Sequence, residues 1–163
     1  MLTRNYYNAL RAALAKTPIE KGIKNVSGSV YDAGYGGSDI TPGPILSSVR
    51  FDSFNGIIIG KGTTPPTLDD YYLEFQITSG LTTSNSRGID ENGNPYTLIT
   101  MANATNKAIT VGEVGIIASV YYGTNGYTCY ALLDRTVLES PITIEAGGVG
   151  QITYTLRMNY PTA

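Results

Sequence analysis

The sequence contains no histidine and no tryptophan, and these two absences exclude several kinds of function. Without histidine there is no Ser-His-Asp or Cys-His catalysis, no HExxH zinc site and no histidine switch near neutral pH. Without tryptophan, a flat platform for binding sugars would have to come from tyrosine. Catalysis by two carboxylates, as in glycosidases, needs neither residue. We nevertheless expect a protein that is not an enzyme, because structural roles are available to its acidic residues.

Six acidic residues are the candidates for carboxylate chemistry. Each lies in a predicted turn, at a predicted cap or beside an arginine that could satisfy it structurally. The most distinctive pair is Asp134 and Arg135, which stands between the apolar residues Leu133 and Val137. Adjacent residues of a strand face opposite ways, so we expect each member to pair with a neighbouring strand or subunit. The six candidates are Asp69, Asp70, Glu74, Glu113, Asp134 and Glu145.

Cysteine, charge and long apolar runs are scarce as well. The single cysteine, Cys129, excludes an intrachain disulfide, and its place in a strand pattern indicates a small buried hydrophobe. Charged residues make up 15 % of the chain and the formal net charge is −2, which argues against nucleic acid as a partner. No run approaches the length of a membrane span, and the N-terminus lacks the apolar core of a signal peptide. We therefore expect no membrane partner.

Two segments look like ligand-binding loops, but their spacing is wrong. Residues 60–64, GKGTT, lack the earlier glycine of a phosphate loop, and prolines replace the helix that would hold the phosphate. Residues 90–94, DENGN, begin like a calcium loop, yet Pro95 and Met101 stand where glycine and glutamate are needed. We predict an extended turn for the first segment, a hairpin turn for the second, and no cofactor or metal.

A short helical turn is predicted after the prolines. Thr67 and Asp70 have the spacing of a capping box, in which side chains satisfy free backbone amides at the start of a helix. Four apolar residues would hold this turn against the core: Leu68, Tyr71, Tyr72 and Leu73.

The sequence is rich in glycine (19) and tyrosine (13), a composition typical of a turn-rich β protein. Its length of 163 residues indicates one domain with a real core. Residues 111–160 predict a four-stranded meander with an Asn-Gly turn at residues 125–126 and a hairpin over residues 141–159 that turns at residues 146–148. We expect a mainly β fold, an antiparallel β-sandwich of the Ig-like or jelly-roll-like type. Further strands are predicted at residues 23–31, 45–51, 55–60 and 96–102, with a long loop at residues 31–44, and residues 81–93 are polar.

Residues 2–16 predict one amphipathic helix, because apolar residues recur at i, i+3 and i+4. Thr3 is available as the N-cap, and Pro18 limits the helix. The helix carries basic residues and no acidic one, so it packs on the sheet, binds an anionic surface or binds a partner subunit. We assign residues 1–17 to a docking helix and residues 18–163 to a single β-sandwich domain. The apolar positions are Leu2, Tyr6, Ala9, Leu10, Ala13 and Leu14.

A resemblance to a known group of proteins is carried by four phrases in a fixed order. They are GTTPPTLDDYYLE (62–74), VGEVGII (111–117), LLDRTVLESPITI (132–144) and EAGGVGQITYTLRM (145–158). Together they resemble structural proteins encoded by tailed bacteriophages, many from gut bacteria. The resemblance implies a virion component whose partners are copies of itself and other phage virion proteins. It supplies no catalytic residues.

Two functions are therefore expected. The first is a non-enzymatic structural protein of a tailed-phage virion, made in the host cytoplasm and assembled as a homo-oligomer in the head, neck or tail. The alternative is a module of a fibre or tail tip that binds a host-surface glycan or protein through tyrosine-rich loops. The residues expected at the assembly interface are Tyr6, Leu10, Leu14, Arg4, Arg11, Tyr35 and Arg135.

Overall fold

The structure, a computed structural model, describes residues 1–15, 17–34, 56–122 and 127–155. These residues form one helix and eight strands in antiparallel sheets, so the predicted mainly β class with one N-terminal helix is confirmed. The sheets are consistent with a β-sandwich. The elements are α1 (Arg4–Ala15), β1 (Ile19–Lys24), β2 (Val30–Ala33), β3 (Ile57–Gly60), β4 (Leu81–Ile89), β5 (Pro95–Asn103), β6 (Ile109–Tyr122), β7 (Tyr127–Ile144) and β8 (Val149–Thr155).

The strands belong to two sheets. The larger has the order β1-β2-β6-β3, with β7 also paired to β6, and the smaller has the order β4-β5-β8. The chain divides into two compact units, of which the first contains Met1–Ile77 and Val111–Pro141. The second contains Thr78–Thr110 and Ile142–Ala163. Helix α1 lies in the first unit, and the assignment of residues 1–17 and 18–163 to separate domains stays a prediction.

The core of the first unit lies on both faces of β6 and β7. Successive residues of a strand point to opposite faces, and in β7 both Leu132 and Leu133 are buried. Leu133 belongs to an apolar cluster that includes Ala12 of α1 and Ile23 of β1. Leu132 belongs to a second cluster, which it forms with Leu73 and Ile117. Burial on both faces explains why β6 and β7 read as nearly continuous apolar runs.

Helix α1 bonds to β1 through polar side chains, which the apolar pattern of its sequence does not reveal. The amide of Asn5 both donates to the carbonyl of Lys24 and accepts from its N–H, each at 2.8 Å. The amide of Asn8 donates to the carbonyl of Gly22 at 2.8 Å. Leu14, predicted on the apolar face, is 77 % exposed. The packed face is therefore rotated toward the asparagines. Within the described ranges, no helix is long and apolar enough to cross a membrane.

Thr3 occupies the position before the first helical residue, as predicted for an N-cap. Its carbonyl accepts the N–H groups of Tyr6 and Tyr7 at 3.1 and 3.4 Å. Its hydroxyl, however, donates to the carbonyl of Leu132 at 2.6 Å. The side chain of Thr3 thus joins the helix to β7.

The single strand predicted over residues 23–31 is wrong, because a tight turn divides it into β1 and β2. The side-chain oxygen of Asn25 accepts the N–H groups of Ser27 and Ser29 at 3.1 and 2.9 Å. Gly28 has a φ of 88°, a conformation that favours glycine. Asparagine at the start and glycine near the end of a turn explain the break.

Strand β4 lies in the polar segment at residues 81–93, for which no strand was predicted. All nine of its residues pair in register with β5, although residues 82–87 are all exposed. Because neither face is buried, the sequence has no alternation of apolar and polar residues. The hairpin turn between β4 and β5 is confirmed: Asp90 Oδ1 accepts the N–H groups of Asn92 and Asn94 at 2.9 and 2.8 Å.

The four-stranded meander predicted for residues 111–160 is only partly correct. Strands β6 and β7 pair as expected, although β7 continues through Pro141, and the turn at Gly147 is present with a φ of 73°. Strand β8, however, pairs with β5 in the smaller sheet. The Asn-Gly turn at residues 125–126, the strand at 45–51, residues 35–44 of the long loop and the end of the last predicted strand lie outside the described residues.

Candidate functional site

Arg135 of β7 brings three segments of the first unit together. Arg135 is 3 % exposed, and its Nε donates to Glu113 Oε2 of β6 at 2.8 Å. Its Nη1 donates to Asp70 Oδ2 at 2.9 Å, and its Nη2 lies 3.6 Å from Glu74 Oε2. Asp70 and Glu74 belong to the segment between β3 and β4. The expectation that Arg135 pairs with a neighbouring strand is confirmed.

Asp134, the neighbour of Arg135, points to a different partner. Its Oδ1 lies 2.9 Å from the α-amino group of Met1. That amino group also donates to the carbonyl of Arg135 at 2.5 Å. The two adjacent charges therefore do not satisfy each other, as the alternation of side chains along a strand predicts.

Glu113 is fully buried, and its carboxylate is surrounded by donors. It accepts the N–H groups of Gly62, Glu74 and Phe75 at 2.9, 3.2 and 2.9 Å, in addition to the bond from Arg135. A buried carboxylate is strongly destabilising unless such hydrogen bonds and an opposite charge compensate it. A Cβ on Gly62 would lie 2.5 Å from Glu113 Oε1, so glycine lets the backbone approach the carboxylate.

The loop that looks like a phosphate loop is bound to carboxylates of the same chain. In addition to the bond from Gly62 to Glu113, the N–H groups of Thr63 and Thr64 each donate to Glu74 Oε2 at 3.1 Å. The Thr64 hydroxyl donates to Glu74 Oε1 at 2.8 Å. The glycines and hydroxyls of residues 60–64 thus hold anionic groups, but these groups belong to the protein.

The Thr67–Asp70 turn places the second carboxylate of the site. Asp70 accepts the N–H of Thr67 at 3.0 Å, which is one half of a capping box. The Thr67 hydroxyl donates to Asp70 Oδ1 at 2.7 Å, whereas in a capping box it would accept the backbone N–H of Asp70. Residues 67–70 nevertheless form a turn and not a helical turn, since Asp70 is directed to Arg135 instead of continuing a helix. Of the residues expected to hold this turn against the core, Leu73 is buried, whereas Tyr72 is 50 % exposed.

The hydrogen bonds of the site change the acidity of its carboxyl groups. Partial burial would raise the pKa of Asp70, but hydrogen bonds from Arg135 and Thr67 outweigh it and hold the pKa below its usual value. Hydrogen bonds from Thr64 and Thr63 lower the pKa of Glu74. Both carboxylates are therefore stabilised in their charged form in the folded protein.

An open cleft of about 280 Å³ lies beside the ion cluster. Tyr71 and Tyr72 contact each other edge to face, with ring centroids 4.5 Å apart, and the ammonium of Lys24 lies 3.6 Å from the Tyr71 centroid. The buried Nη2 of Arg135 has no hydrogen-bond partner. In the described part of the chain, no three acidic or cysteine side chains are placed to hold a metal ion. The cleft is lined by Thr64, Asp69, Asp70, Tyr71, Tyr72, Glu74 and Arg135.

The residues predicted for an assembly interface are in four different situations. Arg4, Arg11 and Leu14 are exposed on the outer face of α1, whereas Tyr6 and Leu10 are half-buried. Arg135 is buried, and its charge is paired with carboxylates of the same chain. Tyr35 lies outside the described residues. The assembly role of these residues stays a prediction.

Sequence reasoning named the carboxylates of the site but not their partners. Glu113 stands alone among apolar and glycine residues in VGEVGII, and Arg135 stands among apolar residues in LLDRTVL. A single acid and a single base in two buried strands each need an opposite charge, so the sequence could have predicted that these two residues pair. The ion pair of Arg4 with Asp69 at 2.5 Å had no comparable signal, because both side chains are exposed.

Cys129 was predicted to be a small buried hydrophobe, and it is less buried than that. It is half-buried and packs against the cluster that contains Ile23 and Leu133. Burial raises the pKa of its thiol to about 11. The reactive thiolate is therefore a minor species at neutral pH.

Replacing Arg135 is expected to destabilise the fold strongly. Arg135→Met leaves Glu113 buried without its counter-charge, so we expect a loss of about 3–5 kcal/mol in the free energy of unfolding. Arg4→Met, which removes the exposed pair with Asp69, is the matched control and is expected to cost much less, because water screens an exposed ion pair. Urea denaturation of both variants measures the difference. Equal losses would contradict the central role of Arg135.

Stability is expected to fall in acid. The pKa values of Asp70 and Glu74 are lower in the folded than in the unfolded chain, so the unfolded chain binds more protons as the pH falls. The stabilisation is complete above the ordinary carboxyl pKa of about 4 and is lost as the pH falls through the lowered values. Urea denaturation between neutral pH and about pH 2.5 tests this, and Asp70→Asn should make the dependence shallower. A parallel decline in both proteins would exclude Asp70 as a contributor.

Comparisons with known proteins leave the site to be interpreted from its own geometry. Neither protein-family models, nor curated proteins, nor solved structures gave a match to this chain. The site is therefore a buried ion cluster beside an open, tyrosine-lined cleft.

Proposed function

We propose that this protein is a non-enzymatic structural component of a tailed-phage virion that assembles with copies of itself and with other virion proteins. One observation carries the proposal: three of the four phrases that resemble virion proteins meet at Arg135. Asp70 and Glu74 come from the first phrase, Glu113 from the second and Arg135 from the third. The resemblance thus coincides with residues that hold the core together, which is what a shared scaffold requires.

The outer face of α1 supports a role in assembly. It presents exposed residues at the spacing i, i+3, i+7 and i+10, which places them in one row along the helix. Leu14 is 77 % exposed and Tyr7 is 47 % exposed. An apolar and an aromatic side chain between basic groups suit contact with a neighbouring subunit. The four residues of the row are Arg4, Tyr7, Arg11 and Leu14.

Self-assembly is expected in solution. Light scattering over a concentration series should give a discrete mass that is a multiple of the 17.4 kDa chain. Leu14→Asp is expected to lower that mass, because it places a charge in the α1 row. Val149→Asp, at a similarly exposed position of 65 %, is the matched control and should have no effect. A 17.4 kDa monomer at every concentration would contradict self-assembly.

Membership of the virion is tested separately. Peptides of this chain should be detected by mass spectrometry in particles of the encoding phage purified by density gradient, at a copy number similar to that of other structural proteins. Their absence from intact particles would contradict the virion role whatever the mass of the isolated protein.

The cleft beside Arg135 favours a second candidate function, the binding of a host-surface glycan. Sugars are held by groups that donate and accept hydrogen bonds together with aromatic rings that cover their apolar faces. The cleft brings together the Thr64 hydroxyl, the carboxylates of Asp70 and Glu74, and the rings of Tyr71 and Tyr72. In this function the protein would belong to a fibre or tail tip.

Calorimetric titration with surface polysaccharide of the host bacterium tests the second function. If it holds, Tyr72→Ala should weaken binding about tenfold or more, through loss of ring contact. Tyr130→Ala is the matched control, because Tyr130 is 49 % exposed against 50 % for Tyr72 and does not line the cleft. No heat with the unmodified protein, or an equal effect of the two variants, would exclude the cleft as the glycan site.

A further inference from the structure

We infer that the outer edge of β4 is an interface between two copies of this chain, paired antiparallel about a two-fold axis at Asn85. The inference rests on the proposed self-assembly and assigns a surface to it. Pairing at this edge would join the three-stranded sheets of two copies into one six-stranded sheet.

Strand β4 is long and regular for an edge strand. It ends the order β4-β5-β8, and among the described residues its backbone pairs with β5 alone. The register with β5 runs from Leu81 to Ile89 without a bulge. Residues 82–87 are exposed on both faces, so a strand has room to approach. The edge thus offers a straight row of backbone donors and acceptors.

The usual protection of an edge strand is missing from β4. Edge strands commonly carry a bulge, a proline or several charges that prevent pairing with another chain. Strand β1, which ends the larger sheet, has a register shift between Ile19 and Ile23 and also carries Glu20, Lys21 and Lys24. Strand β4 contains only one charged residue and no proline. Strand β1 therefore has features that prevent pairing with another chain, whereas β4 lacks them.

The sequence of β4 is complementary to itself in the antiparallel direction. A two-fold axis at Asn85, the middle residue, is the placement that pairs all nine residues. It sets Leu81 opposite Ile89 of the second copy, so the 73 % exposed side chain of Ile89 gains an apolar neighbour. It sets Thr83 opposite Arg87, which keeps the two Arg87 side chains apart. Every polar residue in between faces a polar residue or glycine.

A two-fold contact has a consequence for the assembly. Because the same surface is used by both copies, the contact is closed and does not propagate by itself. The smallest complex is a dimer, and larger complexes that contain it have an even number of copies. Other surfaces, such as the outer face of α1, would have to join the dimers.

Charged substitutions of Asn85, the residue on the axis, test the interface. Asn85→Lys brings two ammonium groups face to face, and Asn85→Asp does the same with two carboxylates, so each variant should dissociate at a concentration about tenfold or more higher than the unmodified protein. An equimolar mixture of the two variants should recover the complex, since opposite charges then meet at the axis. Light scattering measures all three samples.

The matched control adds the same charge to the same hairpin away from the edge. Asn92→Lys lies in the exposed turn between β4 and β5, where only the backbone of Asn92 contacts Asp90, and it should leave the mass unchanged. Circular dichroism should show the same β signal for every variant, because the side chain of Asn85 is exposed. Recovery in the mixture would not occur if the variants had only lost stability.

The outcomes separate the interface from the proposed function. If the unmodified protein is oligomeric and Asn85→Lys leaves its mass unchanged, the β4 interface is wrong while self-assembly stands. Failure of the mixture to recover the complex, or an odd number of copies in the smallest complex, also overturns the two-fold contact. A monomer at every concentration overturns both self-assembly and the interface. Absence from virions, by contrast, would leave a measured β4 dimer intact.

Discussion

A carboxylate with no access to water must have its charge balanced inside the protein, and Glu113 imposes this constraint on the first unit. Its four donors come from β7 and from the segment between β3 and β4. Arg135 supplies the counter-charge, and the backbone around Gly62 and Phe75 is folded close to the carboxylate. The path of residues 60–77 therefore follows from the need to satisfy one buried acid.

The same constraint extends to the surface. Arg135 holds Asp70, and the turn that contains Asp70 also presents Asp69 and the carbonyl of Leu68. Arg4 of α1 bonds to both, through its side chain to Asp69 and through its N–H to Leu68 at 2.7 Å. The helix is thus connected to the buried ion cluster through a single turn. The proposed assembly row on α1 and the tyrosine cleft are therefore both connected to the buried ion cluster.

The smaller sheet follows a different rule, since β4 is held by backbone pairing with β5 and exposes most of its side chains. A strand of this kind has no alternation of apolar and polar residues, which is why its sequence did not predict a strand. Helix α1 was predicted correctly as an element, but its packed face is rotated from the predicted one, because Asn5 and Asn8 bond to the backbone of β1. Periodicity detects burial of apolar groups and misses polar groups that are buried by hydrogen bonding.

By itself, the sequence determined the β class, the helix and the turns around Asp90 and Gly147. These features depend on contacts within a few residues, and local patterns record them. Only the tertiary structure decided which carboxylates meet Arg135, since Glu113 lies 22 residues away along the chain and Asp70 lies 65 residues away. It also decided that β8 pairs with β5. Such partners are chosen by the balance of burial and charge over the whole fold, because an acid can pair with any base that the folded chain brings near.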